Sequence, residues 1–317
     1  MKRIVAAFLS ILMLGGMSFA ADAPVTDWTE VIVVDAEAPG PAMWHLKKGD
    51  SEIWFLGTVG LMPENLAWNT MRLERAIDGA NVVLLEPRAS ADFLDILGMS
   101  WFLLTHRGAL SMPDDRKLED SLSPELRARF VKAREALKKN ADEYEDDSPL
   151  LAGFKLLAAY VETDKLTPDL PQKAAQKIAH AKHVKVRRIA EYSAVPLIEE
   201  MLKLPPTAGR VCLENALSDY ETLSQHAALA ADAWAVGDID GIKAHYSTSQ
   251  FQACIAQAKK YNELDQRAVD DTLKAIREAL SKPGKTVMLI DIGWLFRAGG
   301  VAEKLAAEGL TIEGATK

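Results

Sequence analysis

Apolar and polar positions change rhythm along this 317-residue chain in a way that separates strands from helices. Residues 42–47 and 52–58 are short apolar runs on either side of Lys48-Gly49-Asp50-Ser51, which is the signature of a β-hairpin. Over 66–80 the spacing of Trp68, Met71, Leu73 and Ile77 predicts a helix. Residues 82–86 are apolar up to a closing carboxylate, Glu86, and predict a buried strand. Strand, helix and strand within about thirty-five residues make a βαβ-like unit.

A helical block follows from about 90 to 170. It comprises a helix at 92–106, a second opened by Ser123-Pro124-Glu125, and a third opened by Ser148-Pro149 after the acidic run 142–147. Proline at the first helical position has its φ already set and no N–H to waste. The α/β pattern then resumes with a helix at 172–183, a strand at 184–189 and Glu191 just beyond it. Further helices are expected at 198–204, 219–235 and 239–245, with one long helix at 250–281. Lys282-Pro283-Gly284-Lys285 is a turn, and the chain closes with a strand at 286–293, a helix at 298–308 and a strand at 310–313. The expected fold is α/β, a central mixed sheet with two pseudo-symmetric halves, rich in helix, with the 90–170 block as an insertion. After a leader at 1–20, residues 21–317 read as a single domain.

Composition adds three things. Lys2-Arg3, an apolar core from Ile4 to Met17, and Ser18-Phe19-Ala20 have the form of a secretory signal peptide, too short in its apolar part for a comfortable membrane span. The expected location is therefore periplasmic, with no membrane span after cleavage. The formal charge is −8, and loss of Lys2 and Arg3 makes it two units more negative, which disfavours nucleic acid as a partner. In an oxidising compartment Cys212 and Cys254 are candidates for a disulfide stapling two helices; the alternative is two buried thiols.

No phosphate loop, nucleophile elbow, Cys-x-x-Cys pair or His-Glu-x-x-His helix is present. Six histidines, at 45, 106, 180, 183, 226 and 245, are scattered. His180 and His183 read as surface residues rather than a metal pair, and His45 lies roughly 20 Å along the hairpin from Gly60. The strongest candidates are Glu86 and Glu191, each a carboxylate just past an apolar strand, where α/β proteins assemble sites. The bland alternative is that each caps a helix or pairs with a surface arginine.

Several segments resemble one family. They are PAMWHL and SEIWFLGTVG near the start, NVVLLE ending at Glu86, VKVRRIAE ending at Glu191, ADAWAVGDIDGI, Arg267, and the terminal GWLFRAGGVAEKLAAEGLTIE. In order and spacing the chain resembles the TraB/GumN family, related to Tiki-type metalloproteases and more distantly to erythromycin-esterase and ChaN-like proteins. The resemblance implies a divalent-metal peptidase site (manganese, cobalt or zinc) built from two histidines and acidic residues. Matched position by position, the first histidine falls on Gly60, the second on Trp294, and the glycine three before the second on Asp291. The acidic positions survive as Glu86 and Glu191, and the helix arginine as Arg267.

Imidazoles are what let such a site hold a transition metal; carboxylates alone favour hard cations, weakly unless several converge. The expected function is thus an exported, non-catalytic binder of a peptide, protein or small molecule, with no cofactor and no metal. Its cleft would be lined by Thr58, Gly60, Glu86, Glu191, Arg267, Asp291 and Trp294. Trp294 is expected to pack beside Gly60, and Arg267 to supply charge between the two glutamates. One alternative is a hydrolase using Glu86, Glu191 and Asp291, around a hard cation or as a metal-free acid/base pair. A second alternative, taken from relatives, is an envelope-assembly or polysaccharide-associated factor.

Overall fold

The computed structural model describes residues 39–90, 110–112, 116–246 and 249–316. The leader expected at 1–20 and the helix expected at 92–106 lie outside them. The hairpin forms as β1 (Met43–Lys48) and β2 (Ser51–Thr58), turning at Gly49 with φ 58°. Strand β3 (Met62–Pro63) follows, then helix α1 (Met71–Ile77), β4 (Val82–Leu85) and β5 (Arg88–Ser90). Helix α1 is shorter than its apolar spacing predicts. The side chain of Asn69 accepts from the Met71 N–H at 3.0 Å and Thr70 Oγ1 donates to Glu74 at 2.6 Å, so polar groups just before Met71 set its start.

The insertion contains α2 (Pro124–Ala136) and α3 (Pro149–Thr163), each capped by the serine before its proline as expected. It ends at β6 (Leu166–Thr167), which pairs back onto β3. Helix α4 (Leu170–Ala181), β7 (Lys185–Arg188), β8 (Glu191–Ser193) and α5 (Val195–Met201) come next. Helices α6 (Pro206–Val236), α7 (Ile239–His245), α8 (Gln250–Ile255) and α9 (Lys259–Leu280) follow. The single long helix predicted at 250–281 is two. Its break is capped by a residue outside the segment: the Glu200 carboxylate accepts from the Lys259 and Lys260 N–H groups at 2.9 and 2.8 Å. Strand β9 (Gly284–Asp291), α10 (Ile292–Phe296), α11 (Val301–Ala307) and β10 (Glu313–Thr316) complete the chain.

Six strands form a mixed sheet in the order β10-β1-β2-β9-β4-β7. Strands β2, β9, β4 and β7 are mutually parallel, so their carboxyl ends share one edge. The register pairs Thr58 with Asp291. Val287, Met288, Leu289 and Ile290 are all buried, as are Val83, Leu84 and Leu85, which is the pattern of parallel strands covered on both faces. Gly57 is required by close packing: a Cβ there would meet Trp44 at 2.5 Å and Ile292 at 2.6 Å. Its carbonyl accepts from the Trp234 indole N–H at 2.7 Å, which fixes the end of β2 against α6. No helix among the described residues is long and apolar enough to cross a membrane.

A second apolar cluster surrounds Cys212 and Cys254, which form a disulfide joining α6 to α8 with Cα atoms 5.3 Å apart. Closing a loop of 42 residues in the unfolded chain stabilises by roughly 4 kcal/mol on the chain-entropy scale. The Cys212→Ser/Cys254→Ser protein is expected to lose about that much, read as a lower urea midpoint with little change in slope.

Candidate functional site

The shared edge of the parallel strands opens into a cleft of about 970 Å³, counting its solvent-open mouth. Each central strand delivers a side chain to it: Thr58 ends β2, Asp291 ends β9 and Glu86 directly follows β4. Gly60 and Trp294 line the same cleft. Five of the seven residues expected there are thus brought together by strand register.

Glu86 and Asp291 form the polar centre. Glu86 Oε1 accepts from Gln172 at 2.8 Å, and Oε2 accepts from the Asp291 main-chain N–H at 3.0 Å. The Asp291 carboxylate accepts from the Tyr246 hydroxyl at 3.3 and 3.2 Å and, through Oδ1, from the Trp294 main-chain N–H at 3.2 Å. Burial pushes the Glu86 carboxyl up to about 7, outweighing its hydrogen bonds and the more distant charge of Arg188. Burial first, and repulsion from Glu86 second, hold Asp291 well above the ordinary carboxylate range. Tyr246, raised by burial and by Asp291, remains a hydroxyl donor.

Two expected members are elsewhere. The strand predicted to lead to Glu191 stops at Arg188, and Glu191 opens the short β8 with its side chain 70% exposed, 3.7 Å from Arg188. Alternation along β8 turns the next residue, Tyr192, into the cleft instead. Arg267 does not line the cleft; its guanidinium lies 5.2 Å over the Tyr192 ring. The position expected for it is taken by Arg188, which donates to the Glu86 carbonyl at 2.7 Å and to Gln172 Oε1 at 3.0 Å.

Trp294 also differs in detail from expectation. Asp291 ends the strand and caps α10, so Trp294 sits on a helix and reaches a carboxylate through its main-chain N–H. The space in front of Gly60 is open, where an added Cβ would meet no atom within 4 Å. His45 is held at the level of Trp54 by Glu52, 3.2 Å away, and His180 and His183 are exposed. His226 and His245 meet, Nδ1 to Nδ1 at 3.2 Å, between α6 and the end of α7.

Gln172, Arg188 and Tyr246 are functional residues that sequence reasoning missed. Gln172 carried a signal: it shares the buried stripe of α4 with Ala175 and Ala179, an odd place for an amide without a buried partner. Tyr246 is joined to Asp291 only by tertiary folding.

Among the described residues the lining offers carboxylates from Glu86, Asp169, Asp265 and Asp291 and no imidazole or thiolate. A transition metal of the kind the resemblance implies does not fit this donor set, because carboxylate oxygens without imidazole or thiolate partners hold such ions weakly.

The fold and the cleft define an α/β protein with a cleft at the carboxyl edge of a mostly parallel sheet. The TraB/PrgY/gumN family model matches residues 42–314, and the chain belongs to that family. No curated protein and no solved structure matches it.

The raised Glu86 carboxyl bears on stability. A group whose folded value lies above its unfolded one, here about 7 against 4.5, stabilises the fold at acid pH, and that contribution is lost as pH rises through the folded value. Wild type is therefore expected to lose about 3 kcal/mol relative to Glu86→Gln between acid and slightly alkaline pH, checked by urea unfolding across that range.

Proposed function

We propose that this protein is an exported, non-catalytic member of its family that binds a peptide, polypeptide or small molecule in the Glu86–Asp291 cleft. The observation that carries this reading is the pair Gly60 and Trp294 at the positions where the resemblance places imidazoles, in a cleft whose described lining residues include none. Without those ligands a transition metal has no soft or borderline donors, and a hard cation would need more oxygens than two neighbouring carboxyls supply. Its place in the periplasm rests on the leader-like residues 1–20.

A second reading is a metal-free hydrolase in which Glu86 and Asp291 act as an acid/base pair. What favours it is the Glu86 carboxyl near about 7, where proton transfer at neutral pH is efficient. What counts against it is Asp291, 3% exposed, with its carboxylate occupied by Tyr246 and the Trp294 N–H.

Metal analysis and peptide cleavage separate the two. After passage over a chelator and dialysis against zinc, manganese or cobalt, wild type is expected to hold no stoichiometric metal and to leave a peptide library uncut. Gly60→His/Trp294→His is expected to gain metal affinity, because the space over Gly60 admits a ring. One-to-one metal in wild type together with cleavage would sink the binding reading. Cleavage without metal, abolished by Glu86→Gln, would replace it with the acid/base reading.

A further inference from the structure

The cleft carries a charge imbalance that its own side chains leave uncorrected. Among the described residues, four carboxyl groups line it, from Glu86, Asp169, Asp265 and Asp291, against the guanidinium groups of Arg88 and Arg188. Arg88 faces Asp169 at 3.7 Å. Arg188 spends its donors on the Glu86 carbonyl and on Gln172. Arg297 reaches Asp265 Oδ2 at 2.6 Å, while Asp265 Oδ1 is buried with no hydrogen-bond donor.

The hydrogen bonds on the central pair come from an amide, a phenol and main-chain N–H groups, all of them neutral donors. A buried and a half-buried carboxyl, side by side and hydrogen-bonded only by neutral dipoles, cannot both ionise cheaply; they keep a proton or acquire a positive charge. The rest of the lining is largely apolar, with Trp294, Tyr192, Tyr261, Leu197 and Leu264 forming walls around the pair. An inorganic cation would meet the charge but gain nothing from those walls. An anion meets the wrong sign.

We propose that the ligand of this cleft is an organic cation, a protonated amine or guanidinium group carried on an apolar or aromatic body. Its charged head sits on Glu86 and Asp291 and its body lies against Trp294, Tyr192 and Tyr261. This assignment rests on the binding reading above and names the ligand class for it. The head supplies the missing charge, so binding drives the pair towards full ionisation and expels a proton to solvent. Burial keeps Glu86 protonated below about 7, so affinity for a permanently charged head rises as pH passes through that value.

Isothermal titration of the purified protein with phenethylamine, phenethyl alcohol and phenylpropionate tests the assignment, because the three share a ring and differ in charge. At about pH 8 the amine is expected to bind one-to-one and at least about tenfold tighter than the alcohol, with the gap narrowing towards about pH 6. At about pH 6, where Glu86 still holds its proton, binding heats in buffers of different ionisation enthalpy should report proton release for the amine and none for the alcohol. Glu86→Gln should cost the amine about tenfold, abolish its proton release and cost the alcohol much less than the amine. A cooperative urea transition shows the variant is folded. Trp294→Leu should weaken amine and alcohol alike. Equal or tighter binding of the alcohol or the carboxylate, amine binding indifferent to Glu86→Gln, or no amine binding at all would each overturn the assignment. A preference for the neutral or anionic probe would do so while leaving the binding reading intact, whereas peptide cleavage by the wild type would overturn that reading itself.

Discussion

One hydrogen bond ties the sheet to the cleft: the Asp291 main-chain N–H donates to Glu86 Oε2 at 3.0 Å. The ladder between β4 and β9 makes its last pair at Leu84 and Met288. Beyond it, a carboxylate from one strand end takes up an N–H from the other, where a main-chain carbonyl would have continued the sheet. Parallel register then dictates how the strand ends are arranged. With Thr58 opposite Asp291 and Glu86 bonded to the same residue, three strand ends converge, and two acids share a volume poor in water. The raised carboxyls are a product of topology as much as of local sequence.

That convergence depends on β2 being able to approach its neighbours. Gly57 gives way to the Trp44 ring and to Ile292, the first residue of α10, and its carbonyl is held by Trp234 from α6. A side chain at this position would displace either the hairpin or the helix that carries Trp294. The aromatic wall and the acidic centre are therefore positioned by the same contact. Tyr246 adds a tether from the far side: it follows α7, whose last residue, His245, bonds to His226 on α6, and its hydroxyl reaches Asp291.

The sheet and the acidic centre were legible because buried parallel strands write continuous apolar runs, and a carboxylate at the end of such a run is conspicuous. Glu86 fits that logic, whereas Asp291, inside a strand expected to run to 293, entered only through the resemblance and proves to be the strand's last residue. Glu191 fits it equally well on paper and fails in the fold. Arg188 ends the strand three residues earlier, and the intervening turn starts a new two-strand ladder, β5 with β8, in which alternation sends Tyr192 inward and Glu191 out. The split of the predicted 250–281 helix could not be read locally either, since the Glu200 carboxylate that caps the second half lies fifty-nine residues away from Lys259. Gln172 was nearly legible as an amide on a buried stripe. Arg188 looked like a surface charge on a basic strand, and nothing near Tyr246 points to Asp291.

Keeping two acids in this cleft works against the fold. Burial without a cationic partner is the expensive arrangement for a carboxyl, and replacing buried polar groups by apolar ones of similar volume commonly stabilises. Here neutral donors recover part of the cost, yet the Glu86 carboxyl still titrates well above its ordinary value. Such a deficit is characteristic of sites that complete their electrostatics with something from outside. The demand for positive charge lies in the geometry of Glu86 and Asp291 themselves. Gly60 leaves one wall open and Trp294 makes another aromatic, so the space beside the pair is shaped for a molecule with a body rather than for a bare ion.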